Sequence, residues 1–163
     1  MVGSSWLAPA GGRVNPIAGE EPLVSVVIPM FNGGAWIRET LESVAAQTHP
    51  VHECIVVSDG STDNGPDVVR EMEKRGSLPL TLVEIDHAGV SVARNAGLRC
   101  ASGQYVALLD ADDVWHERKL EYQLETMKRT RATICTVGYA LFDSDTRKVL
   151  GVVAFRRPDR AIR

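Results

Sequence analysis

Tyr105-Val106-Ala107-Leu108-Leu109-Asp110-Ala111-Asp112-Asp113 is an apolar run that stops abruptly in three carboxylates. Val106 to Leu109 show no polar alternation, the pattern of a strand buried on both faces in a parallel sheet covered by helices. Open α/β sheets bind ligands just beyond the carboxyl ends of their strands, and Asp110, Asp112 and Asp113 fall there. Carboxylates crowded at neutral pH repel one another, and a divalent cation relieves that repulsion. A second reading is a helix N-terminus, with Asp112 or Asp113 capping the helix that follows. A D-x-D alone does not choose between a cap and a metal site.

Outward from this stretch, strand and helix signals alternate. Leu23 to Pro29 is a β-branched run that a proline closes. Met30 to Gly34 is a loop, and Trp36, Ile37, Leu41, Val44 and Ala45 recur at helical spacing as far as Gln47, with Pro50 just beyond. Cys54 to Val57 is a short strand that runs into Ser58-Asp59-Gly60-Ser61-Thr62-Asp63, a cluster of turn and capping residues. Pro66 suits a first helical turn, and Gly76 a left-handed helix end. Leu80 to Ile85 is a third strand with the exit loop Asp86-His87-Ala88-Gly89. Over Val90 to Ala101, Ala93, Ala96, Gly97 and Cys100 form a narrow face of small residues that lets a helix lie close to the sheet. After the fourth strand, a helix turns Leu120, Leu124 and Met127 inward and leaves Glu117, Lys119, Glu121 and Glu125 solvated. Four strand–helix alternations without a hairpin signal predict a mostly parallel sheet with helices on both faces. Thr133 to Phe142 then reads as a longer strand, Asp143-Ser144-Asp145 as a turn, and Lys148 to Phe155 as a returning strand.

The chain has 163 residues, enough for one well-cored domain but not two. Residues 1–21 are rich in Gly, Ala, Ser and Pro and read as a flexible leader, residues 22–155 as the domain, and residues 156–163 as a tail. Eighteen basic against 21 acidic residues give a net charge of −3 without a basic block, which argues against nucleic acid as a partner. Cys54, Cys100 and Cys135 are widely spaced among apolar neighbours and read as small buried hydrophobes in a reducing compartment. No apolar run reaches the roughly 18 residues of a membrane helix, and a signal peptide is not evident, so the expected location is cytoplasmic.

With the four strands in one sheet, their exit loops gather on one rim. Phe31 offers a flat platform for a base there, and Asp59 an acceptor for a base N–H, with ordinary packing and a turn side chain as the respective alternatives. Asp59→Ala is expected to leave folding nearly intact. Asp112 and Asp113 suit a hard cation that grips a diphosphate. Gly89 suits a phosphate-binding turn or merely a tight one. Arg94 reads equally as a phosphate partner or a solvated charge.

Five stretches in order resemble the motifs of family 2 glycosyltransferases: Val24 to Asn32, Ser43 to Thr48, Ile55 to Asp63, Gly89 to Gly97, and Leu109 to Asp113. The resemblance covers roughly residues 22–130. It implies the Rossmann-like GT-A fold and inverting transfer of a sugar from a nucleotide diphosphate sugar, with a UDP-sugar as the expected donor. It assigns nucleotide binding to Pro29, Phe31, Asn32, Asp59, Arg94 and Asp110, and Mg2+ or Mn2+ to Asp112 with help from Asp113. Where many members carry two acids before the Gly-Ser, this chain has Ser58 and then Asp59, the acid expected at the base. The acceptor implied is a saccharide or a lipid-linked glycan of cell-envelope polysaccharide assembly, which would bring peripheral membrane association.

Inverting transfer also needs a general base for the acceptor hydroxyl. Nothing from Thr133 to Arg163 matches one, so the chain reads as the donor-binding part of a transferase, truncated on its C-terminal side. An unpaired, apolar edge on the strand Thr133 to Phe142 would then favour self-association. The alternatives are a non-catalytic nucleotide-sugar-binding module and a sugar-phosphate nucleotidyltransferase, whose Gly-rich loop would carry basic residues. Met30-Phe31-Asn32-Gly33-Gly34 has none.

Overall fold

The computed structural model describes residues 21–143 and 145–154. In chain order the elements are β1 (Val24–Met30), α1 (Ile37–Ala45), β2 (Glu53–Asp59), α2 (Gly65–Arg75), β3 (Leu80–Ile85), α3 (Val90–Cys100), β4 (Tyr105–Leu108), α4 (Lys119–Thr130), β5 (Tyr139–Phe142) and β6 (Val149–Val153). The first four strands form one parallel sheet in the order β3-β2-β1-β4, as the alternation predicts. The expected leader up to residue 20 and the tail from residue 156 lie outside the described residues. No helix among the described residues is long and apolar enough to cross a membrane.

The sheet is covered on both faces. Val26, Ile28, Met30, Cys54 and Val56 pack against Ile37, Leu41 and Val44 of α1, Val69 and Met72 of α2, and Leu120 of α4. On the other face Val27, Ile55 and Val57 meet Ala93 and Ala96 of α3. The small residues of α3 do what their spacing predicts: a Cβ on Gly97 would stand 2.4 Å from Val27 Cγ1, so only glycine lets the helix sit this close. Cys100, expected on that buried face, is exposed, because Ala101 takes the place against the sheet. Cys54 is buried, and burial pushes its thiol well above the usual range. Gly76 ends α2 at φ 68°, the left-handed cap expected of it.

Pro29 does not close β1. It is buried inside the strand in register with Val57, and the strand runs on to Met30. The Val27 carbonyl accepts from Leu109 N–H on the β4 side. Two residues on, Pro29 turns its missing N–H the same way, past Leu108 where that ladder has ended, so the lost donor costs nothing.

Further expectations need correction. β4 is not buried on both faces: Val106 and Leu108 are 41% and 49% exposed. It stands at the edge of the four strands, and α3 lies over β1 and β2 beside it, leaving that side of β4 open. A cavity of about 520 Å3 follows β4 between α4 and residues 133–137, walled by Leu124, Met127 and Ile134 among others. Thr133 to Phe142 is not one strand, because residues 133–137 have no ladder partner and follow α4, where Gln123 Nε2 donates to the Cys135 carbonyl at 2.8 Å. Only Tyr139–Phe142 pairs, as an antiparallel hairpin with β6. Its turn is held by the Asp143 carboxylate, which accepts from Thr146 N–H and Oγ1 at 2.7 Å each.

Lys119, expected on a solvated face, is half-buried with its Nζ 3.7 Å from the centre of the Trp115 ring and 2.8 Å from Gln123 Oε1. Burial brings its ammonium down to about 8. Trp36 is the residue just before α1 and is 49% exposed, outside the apolar stripe of Ile37, Leu41 and Val44.

Candidate functional site

The four parallel strands deliver their exit loops to one rim, and side chains bind those loops to one another. Asn32 adopts φ 52°, a left-handed conformation that asparagine tolerates better than most residues. Its Oδ1 accepts from Thr62 N–H at 2.8 Å, and its own N–H donates to Ser61 Oγ at 3.1 Å. Asp63 closes the same junction, accepting from Gly34 N–H at 2.7 Å and Gly65 N–H at 3.0 Å. Asn32 therefore holds the β1 exit against the β2 exit. Pro29, being buried in β1, takes part only by setting where Phe31 and Asn32 emerge.

Asp59 is only 2% exposed at the end of β2. Its two carboxylate oxygens accept from the backbone N–H groups of Ala88 at 2.7 Å and Gly89 at 2.8 Å. His87 Nδ1 donates to the Asp59 main-chain carbonyl at 3.0 Å and lies 3.1 Å from Oδ2. Asp59 is thus a strut that fixes the loop after β3, and the expectation that its removal leaves folding nearly intact does not survive these bonds. A carboxylate has about four lone-pair sites, so capacity remains for one further donor from a ligand.

Phe31, at the exit of β1, is 52% exposed and stacks on His87, with ring centroids 4.3 Å apart and planes inclined by 31°. The sequence reading named the platform but not the ring beneath it. The available signal was His87's place in an exit loop, one residue before a pair of small residues that leave the loop free to fold back on Asp59.

At the fourth exit, Asp113 N–H donates to the Asp110 carbonyl at 3.1 Å and forms a tight turn. Thr40 Oγ1 of α1 donates to the Ala111 carbonyl at 2.8 Å, and Ser43 Oγ accepts from Trp115 N–H at 3.1 Å, so α1 carries the turn on two hydroxyls. Asp112 and Asp113 do not cap the next helix, because α4 begins only at Lys119 with Arg118 before it. Arg94 is not free in solvent: its Nη2 donates to Asp110 Oδ1 at 2.6 Å and ties α3 to the turn. Its Nε is buried without a partner.

Burial first, and then repulsion from Asp112 and Asp110, holds the Asp113 carboxyl above the usual carboxylate range. Among the described residues no group of three or more His, Cys, Asp or Glu side chains converges on a metal position. Asp112 and Asp113, which repel each other and have no side-chain partner among the described residues, nevertheless fit a hard cation, whose remaining positions suit phosphate oxygens and water.

The family model for glycosyl transferase family 2 matches residues 25–158. Among curated proteins, the chain is 41% identical over 125 residues to the "Putative teichuronic acid biosynthesis glycosyltransferase TuaG" of Bacillus subtilis, covering 77% of this chain and 50% of that protein. It is 30% identical over 121 residues to glycosyltransferase GlyG of Streptococcus pneumoniae, covering 74% and 40%. Among solved structures, S. aureus TarS 1-349 in complex with UDP superposes with a TM-score of 0.62 at 29% identity, over 68% of this chain and 33% of TarS 1-349. The mannosyltransferase PcManGT of Pyrobaculum calidifontis, in complex with GDP-Man and Mn2+, gives 0.63 at 33% identity over 80% and 38%. The chain therefore spans half or less of the length of these relatives.

Proposed function

Because the chain belongs to glycosyl transferase family 2, with the GT-A architecture of its structural neighbours, we propose that it binds the donor of an inverting, metal-dependent transfer. The donor is a nucleoside diphosphate sugar, a UDP-sugar first of all, and the acceptor a hydroxyl of a saccharide or lipid-linked glycan. The observation that carries this reading is the connected assembly of Phe31, His87 and Asp59 at the strand exits, beside the Asp110–Asp113 turn. The exposed face of Phe31 takes the base, and the spare lone pair of Asp59 accepts its N–H. Asn32 keeps the platform in register with the β2 exit, and Arg94 holds Asp110 towards the ribose.

Asp112 and Asp113 are the residues that would hold Mg2+ or Mn2+. A cation bound there would neutralise the diphosphate as it leaves. The acceptor hydroxyl attacks from the opposite side of the anomeric carbon and gives its proton to a general base, which is not among the residues assigned here. The complexes of the neighbours, one with UDP and one with GDP-Man and Mn2+, support a nucleotide-sugar donor and a metal. The reading keeps the cytoplasmic location expected from the sequence. An envelope polysaccharide is the acceptor class towards which the TuaG relative's name points.

The test is calorimetric titration of UDP into the protein with Mn2+, with chelator, and in Asp112→Ala. Metal-dependent binding that the variant reduces to the chelator level is expected. Equal affinity in all three would remove the metal role, and no binding to wild type would remove the donor site.

A further inference from the structure

Of the lysines, Lys74, Lys128 and Lys148 are exposed, and Lys119 alone is half-buried. It opens α4 at the wall of the cavity of about 520 Å3 that follows β4, where Leu120, Leu124, Met127 and Ile134 make the surroundings apolar. Its Nζ lies 3.7 Å from the centre of the Trp115 ring and donates to Gln123 Oε1 at 2.8 Å. Among the described residues no carboxylate pairs with this amine, and the titratable group that acts on it is the thiol of Cys135 across the cavity. Gln123 holds the two walls together, because its Nε2 donates to the Cys135 carbonyl at 2.8 Å.

We propose that Lys119 is an acylation site, whose amine takes a small acyl group from an activated donor, an acyl phosphate or an acyl thioester. Neutral Nζ attacks the acyl carbon, the C–O bond to phosphate or the C–S bond to thiolate breaks, and the proton released from nitrogen goes to water. Two features of the wall favour the attack. Apolar surroundings without a carboxylate disfavour the ammonium, so more of this amine is neutral than at a lysine in solvent. The cavity also gives the acyl group space beside Nζ, and half-burial leaves the nitrogen within reach of a small reagent.

The product suits the same place. An amide keeps one N–H for Gln123 Oε1 and gives up the charge whose burial the fold opposes. Acylating an ion-paired lysine strands its carboxylate, but Lys119 leaves no such partner behind. The exposed lysines gain nothing comparable, since water already solvates their ammonium groups.

The experiment incubates the full chain at about pH 7.5 with acetyl phosphate or with acetyl-CoA, folded in buffer and unfolded in urea, and follows acetyl occupancy at each lysine by mass spectrometry. At that pH an amine titrating at about 8 is neutral roughly 200-fold more often than an ordinary lysine; its lower basicity and narrower access take back much of this, so Lys119 should gain acetyl about tenfold faster than Lys74, Lys128 or Lys148. In urea all of them should react alike. Raising the pH of the folded protein should level the Lys119 rate above about pH 8 while the exposed lysines continue to speed up. Preference with one reagent and not the other identifies the acyl source. A Lys119 rate no higher than that of the exposed lysines, with both reagents, overturns the assignment. So does a preference that persists in urea, which would belong to the local sequence and not to the cavity.

Discussion

Replacing Asp59 by alanine removes two charge-assisted hydrogen bonds at once, those from Ala88 and Gly89 N–H at 2.7 and 2.8 Å. Bonds of this type contribute roughly 1.5–3 kcal/mol each, so the gross loss is ~3–6 kcal/mol. The loop itself is open to solvent at His87 and Ala88, and the freed N–H groups regain water, which lowers the expected net loss to ~2–4 kcal/mol. Against a total stability of about 5–15 kcal/mol, this is a large fraction. In urea, where a domain of this size loses about 2 kcal/mol per molar, the midpoint should fall by ~1–2 M. Asp59→Asn keeps one accepting oxygen and should lose about half as much. UDP should also stabilise the alanine variant less than wild type, because His87 and the Phe31 stack are held through the same loop. An alanine variant whose urea midpoint matches wild type would refute the strut, and Asp59 would then return to being a residue that serves only a ligand.

Gly97→Ala places a methyl group 2.4 Å from Val27 Cγ1 and should cost ~1–3 kcal/mol by urea denaturation, with part of the loss recovered in a Gly97→Ala, Val27→Ala double variant. Simple additivity of the two losses would show that the methyl groups do not meet. Burial lowers Lys119 to about 8, so the native state holds that proton less tightly than the unfolded chain, and stability rises as pH climbs from about 8 towards the ordinary lysine value. Lys119→Met should therefore exceed wild type in stability at neutral pH, and a gap that fails to narrow at alkaline pH would refute this. Asp113 is shifted the other way: its raised pKa means the ionised form weakens the fold, and that cost disappears as pH falls below the ordinary carboxylate value. In chelator, Asp113→Asn should melt higher than wild type near neutral pH and gain nothing in acid, whereas an equal gain at both would point to packing instead of charge.

The parallel sheet was legible because β1 and β2 are unbroken apolar runs that end in turn residues, and the four exits therefore had to share one rim. Neighbour relations were not legible. Val106 and Leu108 carry the same apolar signal as Val26 and Ile28, but only strand order says that one pair is central and the other lies at an edge. The apolar run Thr133 to Phe142 misled for a related reason: strand propensity needs a ladder partner, and only Tyr139–Phe142 finds one. At the site, Asp59, Phe31 and the Asp110–Asp113 turn could be named from their positions after strands. The partners of Asp59 and Arg94 could not, because Ala88, Gly89 and Asp110 are separated from them in sequence and meet them only through the fold.

The central place of β1 also sets an order of events during synthesis. Its partner on one side, β2, is complete by Asp59, but its partner on the other, β4, begins only at Tyr105. At the usual pace of translation the interval between them is about 2–9 s, long compared with the ~1–10 μs in which a local strand pair forms. Throughout that interval the fully buried strand β1 presents a row of unpaired N–H and C=O groups, and α3, whose Gly97 seats on Val27, is completed only near its end. The nascent chain is most prone to sticking to its neighbours in that window, and shielding by a ribosome-associated chaperone would matter there more than at any later stage.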